Sequence, residues 1–308
     1  MTTQLDIHII DYPGALKSAL YGFTEIFEIA EQLCRTRSMP VQLSAAIYTV
    51  SALADKPLEY ASVIILPPAL SGDYFQAPDT ALVEYLTRAH AAGSMLCSAC
   101  AGAFIIAATG LLDERCATTH WQLAEPFSQR FKAITLQSEK ILVEDNRILT
   151  AGGLTSWIDL GLEIVAQHTG PSVMRELGKH LIVDTGKREQ RYYQSFQPKL
   201  NHSNQAILKL QHYIAEHIGT ALPLNELAGL IHTSQRTLLR QFEQATTLTP
   251  AQYIQRVRIQ SACELLENSN TAIEVIAQRV GYSDSSSFRK TFQKITGLSP
   301  RAFRRRFR

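Results

Sequence analysis

At 308 residues the chain is long enough for two domains with separate cores, and 45% hydrophobic with 19% charged residues is the composition of a soluble globular protein. No apolar run reaches the roughly 18–20 residues of a membrane span. The start, MTTQLDIHII, lacks the basic segment and apolar core of an export signal and reads as a first strand. The formal net charge of +2 is unevenly divided: residues 1–200 carry 16 Lys and Arg against 21 Asp and Glu, and residues 201–308 carry 14 against 7. A basic last third suits a polyanion partner. Five scattered cysteines (34, 97, 100, 116 and 263) make no disulfide framework and fit a reducing cytoplasm.

Residues 1–185 alternate strands and helices, which predicts a mostly parallel sheet covered on both faces. Ile7–Ile10 is a buried strand, followed by a helix near Gly22–Gln32 and strands at Val41–Val50 and Val63–Leu66. A helix near Thr80–Ala91 leads to the strand Ser94–Cys97, and Ala103–Ala108 is helical. Ile148–Thr150 is another short strand, and Ser156–Thr169 and Ser172–Val183 are helices. Between Ser94–Cys97 and the next helix lies the turn Ser98-Ala99-Cys100-Ala101-Gly102. Strand, sharp turn and helix together project one residue at the carboxyl edge of the sheet, where α/β folds bind ligands and a helix N-terminus lowers a thiol pKa. His120, in ATTHW, is the candidate base for such a thiol.

Residues 186–204 are polar and aperiodic and read as a linker. The domain after it, 205–308, contains a repeat: QRTLLRQFEQATTLTPAQY (235–253) matches SSSFRKTFQKITGLSPRAF (285–303), with Phe242 opposite Phe292 and Pro250 opposite Pro300. Each copy is punctuated as a helix–turn–helix, at about 222–244 and 271–294. In the first, Leu224, Leu227, Ala228 and Ile231 form an apolar face, His232-Thr233 turn the chain, Ser234 caps the next helix, and Leu238, Leu239 and Phe242 are its buried side. In the second, Ile273, Ile276, Ala277 and Val280 precede Gly281 at the turn, Ser283 is the cap, and Phe288 and Phe292 face inward. Gln235, Arg236, Thr237 and Arg240 are left outward in one copy and Ser285, Ser286, Arg289 and Lys290 in the other, a set able to read base edges and hold phosphates in the major groove. A helix from Pro250 spaces the copies; a separation near one duplex turn, about 34 Å, would admit both helices to successive grooves. A helical bundle with merely solvated polar faces is the alternative.

LNELAGLIHTSQRTLLRQF, PAQYIQRVRIQSACELL and IEVIAQRVGYSDSSSFRKTFQKITGLSPRAFRRRF resemble the AraC/XylS-type DNA-binding domain of bacterial transcription regulators. Thr247 departs from that pattern, which often has the Gly kept at Gly297. GFTEIFEIA, CAGAFIIAATGLLDERCATTHW and ILTAGGLTSWIDLGLEIVAQHTGPSVMRELGKHLIV resemble the PfpI-like domain of the class I glutamine amidotransferase-like superfamily. The order of the two is that of the GlxA-type regulators. The resemblance implies a flavodoxin-like first domain that senses a small metabolite, such as an amino acid or amine derivative, and forms a dimer. It also implies promoter DNA and RNA polymerase as partners and activation as the usual outcome.

Cys100 falls at the nucleophile position of the superfamily's enzymes. By alignment, however, Ala19 replaces their acidic residue and Pro67-Pro68-Ala69 replaces a Gly-Gly pair whose N–H groups stabilise an oxyanion; proline has no N–H. The expectation is therefore a regulator and not an enzyme, with Cys100, Ala101, His120 and Trp121 at an effector pocket and no cofactor or metal. A PfpI-like hydrolase or lyase, a Cys100 redox sensor, a Cys97-x-x-Cys100 redox or metal pair, and an architectural DNA binder whose first domain only dimerises are the competing readings.

Overall fold

A computed structural model describes residues 2–54, 61–186 and 188–308, so Lys187 of the linker lies outside the described residues. The chain forms two compact units, 1–190 and 191–308. In the first, β1 (Thr3–Asp11), α1 (Lys17–Thr36), β2 (Val41–Thr49), α2 (Val50–Ala54) and β3 (Val63–Leu66) are followed by α3 (Thr80–Ala91), β4 (Met95–Ala99) and α4 (Gly102–Ala107). Then come β5 (Cys116–Ala117), α5 (Ala124–Arg130), β6 (Thr135–Leu136), β7 (Leu142–Asp145), β8 (Ile148–Ala151), α6 (Trp157–Thr169) and α7 (Pro171–Leu181).

The main sheet runs β2-β1-β3-β4-β8-β7 and is parallel except for β7. Its central strands β3, β4 and β8 are buried along their whole length, as continuous apolar runs require when helices cover both faces. Helices α1, α6 and α7 pack together on one face, and α2, α3 and α4 on the other. Chain order reverses between β1 and β3, so the crevice at their carboxyl ends is the switch point where this architecture places ligands.

Two elements of the first unit carry weak sequence signals. β7 pairs antiparallel with β8 across a two-residue turn at Asn146-Arg147, both left-handed at φ 50 and 58. That is a hairpin turn without the glycine that usually marks it. The β5–β6 pair has only two residues per strand, too few for any periodicity.

The second unit contains α8 (Gln205–Glu216), α9 (Leu224–Leu230), α10 (Gln235–Thr246), α11 (Pro250–Asn268), α12 (Ile273–Arg279), α13 (Ser285–Thr296) and α14 (Pro300–Phe307). It has two separate cores. One gathers Ile207, Leu210 and Ile214 of α8 with Leu227, Leu238, Phe242 and Tyr253, and the other gathers Ile259, Ala262 and Leu266 of α11 with Ile276, Phe288, Phe292 and Phe303. The front of α11 belongs to the first core and its rear to the second, so one helix holds both motifs. The repeat is reproduced in detail. Phe242 meets Tyr253 edge-on at 5.2 Å and Phe292 meets Phe303 at 5.4 Å. The Thr246 and Thr296 hydroxyls each donate to the carbonyl four residues back. His232 and Gly281 hold the matching turns at φ 52 and 84.

Two expectations change. Ser283 does not cap α13; Asp284 does, its carboxylate accepting the N–H groups of Ser286 (3.1 Å) and Ser287 (2.7 Å). The helix begins one residue later than its Ser-rich approach suggests, and a carboxylate satisfies two orphan donors at once. Leu239 is not buried; it is 39% exposed, because the inward arc of α10 is filled by Leu238, Phe242 and Ala245.

Thr247 and Gly297 both end their helices in the left-handed region, at φ 63 and 79. A β-carbon at Gly297 would stand 2.5 Å from Arg191 Nε and 2.7 Å from the Tyr192 ring. Thr247→Gly is therefore expected to raise stability by about 0.5–1 kcal/mol, read as a higher urea midpoint at unchanged slope, whereas Gly297→Thr lowers the midpoint.

Candidate functional site

The elbow is built by three strands. β4 ends at Ala99, Cys100 turns left-handed at φ 54, and α4 begins at Gly102. Cys100 N–H donates to the Ala151 carbonyl at 2.8 Å, and the Thr119 hydroxyl donates to the Cys100 carbonyl at 2.8 Å, so the strained residue is clamped from both sides. Gly102 lets α4 start against β3, since a β-carbon there would lie 2.5 Å from the Leu66 carbonyl oxygen.

This geometry covers the thiol. Cys100 is 5% exposed and Ala101 2%. Burial pushes the Cys100 pKa from 9.0 to about 11, although the Ala101 N–H pulls the other way. The expected lowering by the helix start is thus reversed: α4 spans only six residues and desolvation outweighs it. Cys97 is fully buried within β4 and pushed up further by burial, then by the charge of Glu144. His120 is not joined to Cys100 by any hydrogen bond among the described residues. Its Nδ1 accepts the Gln122 N–H at 3.1 Å, its ring stacks on Trp121 at 5.6 Å, and burial holds its pKa below the ordinary value. Ala19 is fully buried in α1. The Pro67 and Pro68 carbonyls accept from the Tyr12 hydroxyl (2.5 Å) and the Leu16 N–H (2.7 Å), so this loop turns engaged acceptors where an oxyanion hole needs donors.

A cavity of about 610 Å³ opens elsewhere on the carboxyl edge, beside Asp11, Tyr12, Lys17, Thr49, Ser51 and Asp79. Lys17 and Asp11, both in its lining, form an ion pair at 2.8 Å. Asp79 accepts from the Tyr74 hydroxyl at 3.0 Å, and the Tyr74 ring stacks on Tyr12 at 5.7 Å. Sequence inspection missed these groups, which come from three stretches far apart in the chain, at the ends of β1 and β2 and just before α3.

In the second unit the outward faces of α10 and α13 are matched. Ser234 caps α10 through the Thr237 N–H at 3.2 Å. Arg236 and Arg240 stand one turn apart on α10, exposed and without a hydrogen-bond or ion-pair partner among the described residues. On α13 the corresponding face presents Ser286, Ser287, Lys290 and Lys294, all exposed. Ser287 and Lys294 escaped the sequence reading; helical spacing from Lys290 could have found them. Gln235 is exposed at the start of α10 and Thr237 is half-buried behind the cap, while Ser285 is half-buried at the start of α13. Arg289 lies on the flank of α13, where its Nη2 donates to Glu274 of α12 at 2.5 Å.

Comparison with known proteins decides what these units are. A helix-turn-helix domain model matches residues 227–306, and the DJ-1/PfpI family model matches residues 46–167. The HTH-type transcriptional regulator CdhR of Pseudomonas aeruginosa is 26% identical over 264 residues, 85% of this chain and 77% of that protein. The HTH-type transcriptional regulator GlxA of Rhizobium meliloti is 27% identical over 208 residues, 67% of this chain and 63% of that protein. The chain carries an AraC-type helix-turn-helix domain and a DJ-1/PfpI domain, the make-up of a DNA-binding transcriptional regulator. The regulator's first unit shares its fold with a proposed transcriptional regulator from Vibrio parahaemolyticus, at 19% identity and a TM-score of 0.50 over 59% of this chain and all of that one. A helix-turn-helix regulator of this make-up binds DNA, and no described helix is long and apolar enough to cross a membrane.

With a folded pKa near 11 against an ordinary 9.0, Cys100 in the native regulator should react with iodoacetamide about a hundredfold more slowly than a free thiol at about pH 8. A raised pKa favours the protonated, folded form. The stability it contributes is whole below pH 9.0 and disappears as pH rises through about 11; alkaline unfolding of Cys100→Ser should lack that component.

Proposed function

We propose that this regulator is a one-component sensor in the cytoplasm, a homodimer that binds a small metabolite in its DJ-1/PfpI unit. It then presents α10 and α13 to successive major grooves of promoter DNA, where it recruits RNA polymerase as an activator. The observation that carries the DNA-reading assignment is a pair of exposed cations one turn apart on each of the corresponding helix faces, Arg236 with Arg240 on α10 and, one turn further along, Lys290 with Lys294 on α13. Arg240 and Arg236 read base edges, with Gln235 and Thr237 beside them. Lys290, Ser285 and Ser286 engage the second groove, and the caps Ser234 and Asp284 set each helix start. Arg289 acts from the flank, since Glu274 already holds its guanidinium. Two tethered DNA-binding units in a dimer raise each other's effective concentration.

The first unit senses without reacting. A covered, protonated thiol, a histidine occupied by Gln122, and proline carbonyls in the loop opposite support a non-catalytic role for the elbow. The effector enters the cavity beside Tyr12, where the carboxylates of Asp11 and Asp79, the Lys17 ammonium and the Tyr12–Tyr74 ring pair suit an amino acid or amine derivative. Cys100, Ala101, His120 and Trp121 are not among the residues that line this cavity; His120 and Trp121 stand on the turn that carries Thr119 to the Cys100 carbonyl.

On a duplex selected by the full-length regulator, Arg240→Ala should weaken binding by about 1–3 kcal/mol and relax preference at one base pair. Arg289→Ala should cost less than Lys290→Ala; equal affinity for Arg240→Ala and the parent would displace α10 from the groove. In a thermal-shift screen of amine-bearing metabolites, a ligand at about 100 times its Kd adds about 2.7 kcal/mol. Asp11→Asn should abolish that gain while leaving DNA affinity unchanged.

A further inference from the structure

Within the second unit, α11 joins the two helix–turn–helix motifs, yet a cleft of about 960 Å³ lies between them. Leu224, Leu227 and Leu239 of the first motif and Gln278 and Ser283 of the second are in its lining. Two bodies hung on one helix across an open cleft keep their separation, but the helix alone does not stop one from turning against the other. Arg258 of α11, half-buried in the same cleft wall, opposes that motion. Its Nε donates to the Ile218 carbonyl at 3.0 Å and its Nη2 to the Thr220 carbonyl at 2.6 Å, both in the loop that joins α8 to α9. The same guanidinium lies over the Tyr282 ring at 5.7 Å, in the turn that joins α12 to α13. One side chain thus grips the first motif by two carbonyls and the second by a ring face.

Both grips lead to a recognition helix. The loop at 218–220 continues α8, whose Ile207, Leu210 and Ile214 pack with Leu238 and Phe242 of α10. Tyr282 meets Phe288 of α13 edge-on at 5.4 Å. The loop and the turn also approach each other directly, and glycine makes the approach possible on each side. A β-carbon on Gly281, which turns left-handed at φ 84, would stand 2.3 Å from the Ile218 carbonyl oxygen and 2.6 Å from Arg258 Nη2. A β-carbon on Gly219 would stand 2.9 Å from the Arg279 carbonyl oxygen.

We propose that Arg258 is a positioning residue that clasps the second motif against the first, so that α11 sets the distance between α10 and α13 while the clasp sets their relative orientation and thereby the half-site spacing the regulator accepts. This rests on the reading of α10 and α13 as the two groove-entering helices and adds what orients one against the other. A fork that donates to two carbonyls while its face covers a ring fixes direction as well as distance, which an ammonium on a flexible stem does not. Without the fork, the Gly219 and Gly281 backbones lose what holds them together, and α13 is free to turn about α11.

Double electron–electron resonance on the full-length protein tests it, with nitroxides at Glu243→Cys of α10 and Gln293→Cys of α13, exposed positions that match in the two copies. Cys116→Ser removes the half-buried natural thiol, and the other four are buried. Excess unlabelled protein restricts the reading to distances within one chain. The parent should give one narrow distance distribution, and Arg258→Ala, Arg258→Lys and Gly281→Ala should each give a broader one. Arg258→Lys keeps the stem and the charge and loses the fork, so it decides the matter if the other two fail to fold. Distributions as narrow as the parent's in every folded variant would overturn the clasp. The DNA arm uses the duplex selected by the parent, the same duplex with the half read by α13 scrambled, and the same duplex with one base pair inserted between the halves. The parent should bind the inserted duplex at least about tenfold more weakly than the original, and Arg258→Lys should narrow that gap to about threefold. Broader distances with the parent's gap kept would overturn the link from clasp to spacing. A scrambled half that costs the parent nothing would remove α13 from the groove, and the distances would still decide the clasp.

Discussion

Most of the first unit's geometry follows from one strained residue. Cys100 adopts a left-handed backbone that a β-carbon disfavours, and it stays there because Ala151 accepts its N–H and Thr119 caps its carbonyl. Those two bonds bring the ends of β4 and β8 and the turn at 118–121 to one point. Once that point is set, α4 must leave past the Leu66 carbonyl, which Gly102 permits, and the thiol is carried beneath the surface. The same turn therefore defines a reactive elbow in one solvent environment and an inert one in another. Here desolvation prevails over a helix start of only six residues.

In the second unit, duplication is a solution to a burial problem. A two-helix motif of this length cannot cover its own apolar face. Each copy is completed by a third helix that presents Ile, Leu or Ala at matched spacing, α8 for the first and the rear of α11 for the second. Because α11 contributes to both cores, the spacing of the recognition helices is a property of one continuous helix, started by Pro250 and a Thr249–Gln252 capping box. That continuous helix fixes the separation of α10 and α13, as the DNA-reading role proposed for their outward faces requires.

Legibility in the sequence tracked how local the cause was. The apolar runs of β1 and β3, the helix Thr80–Ala91, the cap at Ser234, the helix start at Pro250 and the left-handed ends at Thr247 and Gly297 depend on neighbours a few residues away, and the chain shows them directly. β7 was hidden because its turn uses Asn146-Arg147, and the Asp284 cap because a serine precedes it. Leu239 looked internal by type, yet Ala245 fills the arc it would have used. The linker read as a tether because Gln190 and Arg191 are polar. Their partners, Thr119, Lys140 and Gly297, lie 50 to over 100 residues away.

By itself, then, the sequence determined the two fold classes, the repeat and its register, and the basic outward faces, since periodicity, capping chemistry and charge act over one or two turns. Only the tertiary structure decided that the Cys100 thiol is protonated and covered, that Arg289 is held by Glu274, and that Gln190 is buried. Each of these depends on solvent exclusion or on partners brought together by the sheet and the helix cores, and no local pattern encodes how much water a side chain will keep.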